Sequence, residues 1–261
     1  MSKKISVCSF KGGTAKTSCT LNLGAGFAKF HKKKVLLVDF DAQANLTTGL
    51  GYNPDQYDSL AKVLLNEKQL HEVILHTQIK NLDLIPADSF LERVELLNPL
   101  AQDRYSHEKL SELLKPLKYD IIIIDTPPSL CWLTESALIA SDYSLICATA
   151  EFYSIKGLER LKHFLDGLSK RHPTQILGVL LSFWNQRGKN NKAFLDLIKT
   201  TFPKKLIDQK IRRDITVSEA SIYGKPIFDS APTSRAAHDY KTICKELNKR
   251  LSKGSIYSKL F

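Results

Sequence analysis

Three short stretches of this 261-residue chain carry residue types suited to phosphate chemistry. The first reads Phe10-Lys11-Gly12-Gly13-Thr14-Ala15-Lys16-Thr17-Ser18. Paired glycines let a backbone curl so that its amides point inward, and a helix beginning beside them adds its positive end, so such a loop cradles phosphate. Lys16 is spaced to reach β- and γ-phosphate oxygens, and Thr17 to offer its hydroxyl to Mg²⁺. The strict GxxxxGK(S/T) pattern is not met, because Phe10 and Ala15 hold its two glycine positions. The second stretch, Val35-Leu-Leu-Val-Asp39-Phe-Asp41-Ala42-Gln43-Ala44-Asn45, sets two carboxylates at the end of an apolar run. They point together if a strand continues through them and splay if a loop begins there. The third, Tyr119-Asp-Ile-Ile-Ile-Ile-Asp125-Thr-Pro127-Pro128, ends a strand-like run on an aspartate that two prolines cut off. A carboxylate at that place holds Mg²⁺ through a coordinated water, opposite Thr17.

These groups need elements that gather three strand ends at one edge. Short β-branched runs at 5–10, 35–39, 82–85, 121–125, 144–150 and 176–181 read as buried strands. Segments with helical period lie between them at 18–30, 60–75, 108–114, 134–140 and 156–168. That alternation predicts an α/β fold, a mostly parallel sheet with helices on both faces, in a single domain spanning 1–261. A basic helix is expected over about 236–251, with the i, i+4, i+8 stripe of Ile243, Leu247 and Leu251 facing the core. Gly254 and Ser255 are expected to interrupt it. Hydrophobic residues at 43% and charged residues at 25% exclude a disordered or collagen-like chain. The net charge of +11 points to a polyanionic partner or an anionic surface. Five cysteines without metal-ligand spacing suit a reducing cytoplasm. No apolar stretch approaches the ~20 residues that span a bilayer.

The loop resembles that of the ParA/MinD family of deviant Walker-A ATPases, xKGGxxK(S/T), and matches it without a gap, closest to the Soj-like partition proteins. The resemblance implies a P-loop NTPase fold, ATP or ADP with Mg²⁺, and phosphate contacts from Lys11, Gly12, Gly13, Thr14, Ala15, Lys16, Thr17 and Ser18. It implies that Lys11 crosses a nucleotide-sandwich homodimer to the partner's ATP. The family's DxDPQxNxT motif is met except for Ala42, which implies that Asp41 orients the attacking water and Asp39 serves the magnesium hydration shell. Thr17, Asp39 and Asp125 are then the metal group, and Lys11, Lys16 and Asp41 the catalytic one.

Asn185, at the end of the last predicted strand, is placed to hydrogen-bond adenine. The resemblance adds contacts around Ile211, Arg212 and Arg213, although Arg212 replaces a common proline. It also implies non-specific binding of double-stranded DNA by the ATP dimer. Arg187, Lys225, Lys241 and Lys245 are the candidate residues, while Thr216 stands where a basic residue is common. Weak ATP hydrolysis stimulated by a ParB-like partner, in chromosome or plasmid segregation on the nucleoid, follows from the same likeness. With ten residues before Lys11, no helix-turn-helix and no operator binding are expected. The alternative is a MinD-like membrane-positioning ATPase, which would need an amphipathic carboxyl-terminal helix, for which Ile243, Leu247 and Leu251 with Ile256, Leu260 and Phe261 beyond are the candidate apolar residues. No membrane partner is expected.

Overall fold

The computed structural model describes residues 2–9, 11–96, 106–150, 154–188 and 191–257. Seven strands form one sheet: β1 (Lys3–Cys8), β2 (Val35–Asp39), β3 (Leu75–His76), β4 (Leu82–Ile85), β5 (Ile121–Asp125), β6 (Tyr143–Thr149) and β7 (Gln175–Ser182). Their order is β3-β4-β2-β5-β1-β6-β7, and every pairing is parallel except β3 with β4. The larger helices are α1 (Lys16–His31), α7 (Ser154–Ser169), α8 (Asn191–Thr201) and α11 (Arg235–Tyr257). Shorter ones are α2 (Asn45–Gly49), α3 (Leu60–Leu64), α4 (Phe90–Leu96), α5 (Lys109–Leu114), α6 (Trp132–Ile139), α9 (Thr216–Ile222) and α10 (Ile227–Ser230).

Alternation along the strands divides the core into two layers, as a period of two requires. Ile5, Val7, Leu37, Ile123 and Leu145 pack with α1 and α11, whereas Leu36, Val38, Ile122 and Ile124 pack on the opposite face with α3 to α6. That opposite layer continues under α7 and α8 through Ile146, Val179 and Leu181. The stripe Ile243, Leu247 and Leu251 is buried against α1, in agreement with the sequence reading.

Three expectations are corrected. The helix expected over 60–75 stops at Leu64, because Asn66 takes a left-handed φ of +61° and the chain then forms a 3-10 turn at Leu70–Glu72 and the antiparallel edge strand β3. Gly254 and Ser255 do not interrupt α11, which runs through them to Tyr257. A glycine inside a helix costs about 1 kcal/mol relative to alanine and does not by itself end it. The first strand ends at Cys8 rather than Phe10, and Phe10, Leu260 and Phe261 lie outside the described residues.

Candidate functional site

The ends of β1, β2 and β5 meet at the carboxyl edge of the sheet, where open α/β sheets take their ligands. After β1 the chain turns through Gly13 at φ +72° and Ala15 at φ +60°, and Ala15 is the N-cap of α1 without any side-chain cap. The first amides of α1 are therefore directed into the loop rather than onto a capping side chain. Two hydroxyls fasten the loop from behind: Ser9 Oγ donates to the Lys11 carbonyl at 2.9 Å and Ser182 Oγ donates to the Thr14 carbonyl at 2.7 Å. Lys16 is buried and Lys11 is exposed. Thr14 Oγ1 is buried with no hydrogen-bond partner, although a buried hydroxyl ordinarily finds one.

Asp39 and Asp125 are register partners on neighbouring strands, and both are fully buried. Asp125 accepts from Thr17 Oγ1 at 2.6 Å and from Thr20 Oγ1 at 2.9 Å. Asp39 accepts from the Thr47 backbone N–H at 2.8 Å and from Thr47 Oγ1 at 2.7 Å. Burial, and then the charge of Asp125, push the Asp39 carboxyl up to about 7. Burial pushes Asp125 up to about 6, against the pull of the Thr17 hydrogen bond and of Lys16. The two carboxylates of the second motif splay: the strand ends at Asp39, and Asp41 turns to accept from the Gln43 N–H at 3.0 Å. Ala44, at φ +51°, then starts α2. Thr47 closes the second acidic motif but the sequence gives it no role, and Thr20 is not singled out at all. Thr20 lies one turn after Thr17 on the same helix face, and that spacing is the signal that could have found it.

Beyond Ser182 the chain lines a cavity of about 580 Å³ with Phe183, Asn185, Arg187, Arg212, Arg213 and Arg235. Asn185 is exposed, and its Oδ1 accepts from the Arg187 N–H at 3.1 Å. Ile211 is buried behind this wall, its N–H donating to Leu181 and its carbonyl accepting from Trp184. Arg212, on the cavity wall, is held by the buried Asp239, with Nη2 at 2.6 Å and Nε at 2.9 Å from its oxygens. Its partner in α11 is not legible from local spacing. Of the four candidate DNA residues, Arg187 lines this cavity and Lys241 and Lys245 are exposed on α11. Lys225 instead lines a separate groove.

A family model described as an AAA domain matches residues 2–177. A ParA family protein of Chlamydia pneumoniae is 66% identical over 247 residues, covering 94% of this chain and 97% of that one. The chain belongs to the ParA family. Sporulation initiation inhibitor protein Soj of Bacillus subtilis is 36% identical, with 95% of this chain and 98% of that one covered. Among solved structures, the septum site-determining protein MinD of Pyrococcus horikoshii, complexed with Mg-ADP, superposes with a TM-score of 0.80 at 26% identity, covering 95% of this chain and 97% of that one. The site of this ParA family ATPase fits such a ligand pair on its own terms. The unpartnered Thr14 hydroxyl and the uncapped amides of α1 suit a phosphate, and two buried, adjacent carboxylates beside Thr17 suit a divalent cation.

Proposed function

We propose that this protein is a partition ATPase in which ATP closes two copies into a sandwich dimer that binds double-stranded DNA without sequence preference, and a ParB-like partner stimulates hydrolysis and release. The observation that carries this reading is the pair of lysines on one loop: Lys16 turned into the fold, Lys11 exposed at the open edge. The inner lysine serves the loop's own phosphates. The outer one is placed to reach phosphates held by a second copy, so charge spreading over the transferred phosphoryl group gains a second cation only in the dimer.

In this reading Gly12, Gly13, Thr14, Ala15 and Ser18 hold phosphate through the loop and the first turn of α1. Thr17, Asp39 and Asp125 would hold Mg²⁺, which would supply charge neutralisation to the nucleotide's phosphates. Asp41 orients the attacking water. Asn185 and the backbone of Arg213 address adenine, while Arg212 positions the cavity wall through Asp239. Arg187 and the exposed lysines of α11 give DNA affinity through phosphate contacts, which makes binding steeply salt-dependent. The membrane-positioning alternative would need a free apolar face on α11, and the stripe of Ile243, Leu247 and Leu251 is instead buried in the core. Among the described residues no helix is long and apolar enough to cross a membrane.

Binding to random-sequence duplex DNA without nucleotide, with ADP and with ATP, across a salt series and beside anionic liposomes, tests the reading. DNA binding that needs ATP and weakens with salt is expected. Liposome binding in its place overturns it.

A further inference from the structure

A second concave surface lies away from the nucleotide edge. A cavity of about 480 Å³ opens between the end of α2, the turn joining β3 to β4, and the connection from α9 to α10, with Tyr52, Tyr57, Ile79 and Tyr223 on its walls. It shares Gln78, Ile79 and Asp229 with an adjoining cavity of about 330 Å³ that carries Lys29, Lys32 and Lys80. The two form one groove, tyrosine-rich at one end and lysine-rich at the other. We propose that this groove docks an acidic peptide segment of a partner protein, anchored by an aromatic or aliphatic side chain.

The tyrosine end is uncovered. Tyr223 is 70% exposed, and Ile222, next to it in sequence but outside the groove lining, is 81% exposed, where side chains of this size normally bury. Tyr57 stacks edge-on against Tyr52 with ring centroids 5.5 Å apart, so its ring is held as a wall rather than free to collapse. Rigid tyrosines offer contact area at low entropic cost, which is why they dominate recognition surfaces. The floor is fixed as well. Gly51 and Gly224 both take positive φ, and a Cβ on Gly224 would lie 2.6 Å from Gly51 Cα, so two backbones meet there in van der Waals contact. A preformed groove binds without the cost of ordering itself.

Charge selects the occupant. The groove's carboxylate, Asp229, is already neutralised by Lys29 at 2.6 Å. Among the described residues, no ion pair joins Lys32, Lys80 or Lys225 to a carboxylate, so the lining keeps a surplus of positive charge at the mouth. That surplus steers acidic chains and repels basic ones. A duplex presents phosphates on a cylinder too broad to enter a pocket of this volume, whereas a short stretch of extended peptide lays its side chains into it, which favours a peptide over DNA.

Panning a random dodecapeptide library on the full-length protein, then measuring the selected peptides in solution, tests the proposal. Enriched peptides should combine net negative charge with Phe, Tyr, Trp or Leu. Their affinity should fall at least about tenfold in a Tyr57→Ser, Tyr223→Ser double variant and similarly in Lys32→Glu, Lys80→Glu, with Lys118→Glu unchanged. All these side chains except Tyr57's ring are well exposed, and thermal unfolding checks that each variant remains folded. Lys16→Ala should bind the peptides like the wild type, which separates this surface from the nucleotide reading. Enrichment of basic or uncharged peptides, no enrichment over an unrelated protein, or peptide binding indifferent to the groove variants overturns the proposal. So does single-stranded DNA binding that the tyrosine variants abolish while no peptide is selected.

Discussion

Along the inner face of α1, glycine stands where space runs out. A Cβ on Gly26 would lie 2.4 Å from Cys244 Sγ, and one on Gly24 would lie 2.6 Å from Leu37 Cδ2. At the carboxyl edge of the same sheet the usage is reversed: Ala15, Ala44 and Phe183 hold left-handed φ values of +60°, +51° and +51°, positions that favour glycine. The seam buries apolar groups in close contact, while the edge buries two like charges side by side. Packing in the first region seats α1 against the sheet and α11. The second carries strain and desolvated charge that a phosphate and a cation would relieve, as functional sites commonly do.

The contrast can be broken at either region. The largest effect is expected from Lys16→Ala, which should reduce ATP binding at least about a hundredfold in a nucleotide titration while leaving the unfolding midpoint nearly unchanged. A collapse in stability instead would make Lys16 a structural residue. Gly26→Val should act in the opposite way, costing about 3 kcal/mol by overpacking the seam in denaturant unfolding, with part recovered on adding Cys244→Ala. No recovery would mean that the two helices do not meet as described.

A smaller effect separates buried charge from packing. Asp39 titrates at about 7 in the fold against an ordinary value of 3.8, so the folded state binds the proton more tightly than the unfolded chain. The stability this group contributes is then fully present below about 4 and is lost as pH rises through about 7. In EDTA without nucleotide, Asp39→Asn should gain on the wild type across that window by a few kcal/mol at most, and Mg²⁺ with ATP should close the gap. A pH-independent difference would mean that Asp39 is not held in a desolvated pair. The smallest change is Ala15→Gly, which should raise stability by up to about 1 kcal/mol in chemical unfolding by releasing the left-handed strain. A loss on that substitution would show that the loop is not strained there.

Features carried by contiguous residues are legible in the sequence itself. Strands at Val35–Asp39, Leu82–Ile85 and Ile121–Asp125 lie where their apolar runs begin and end. Such runs are buried on both faces, and that burial forces their composition. The loop from Lys11 to Thr17 is equally readable, because its chemistry is local. What depends on crossovers is hidden. Asp39 and Asp125 become neighbours only because β5 inserts beside β2. The pairing of Arg212 with Asp239 spans the return of α11 to the sheet. The edge strand Leu75–His76 has only two residues and no periodicity to betray it.

The central claim is that the nucleotide edge is completed by a second copy through Lys11. Light scattering on a size-exclusion column with the Asp41→Ala variant in Mg-ATP tests it most directly, since that variant should bind ATP without consuming it. The account predicts twice the 29.4 kDa chain mass in ATP, a single chain mass in ADP, and a return to the single chain when Lys11→Ala is added. A monomer in ATP, or a dimer indifferent to Lys11→Ala, would contradict it.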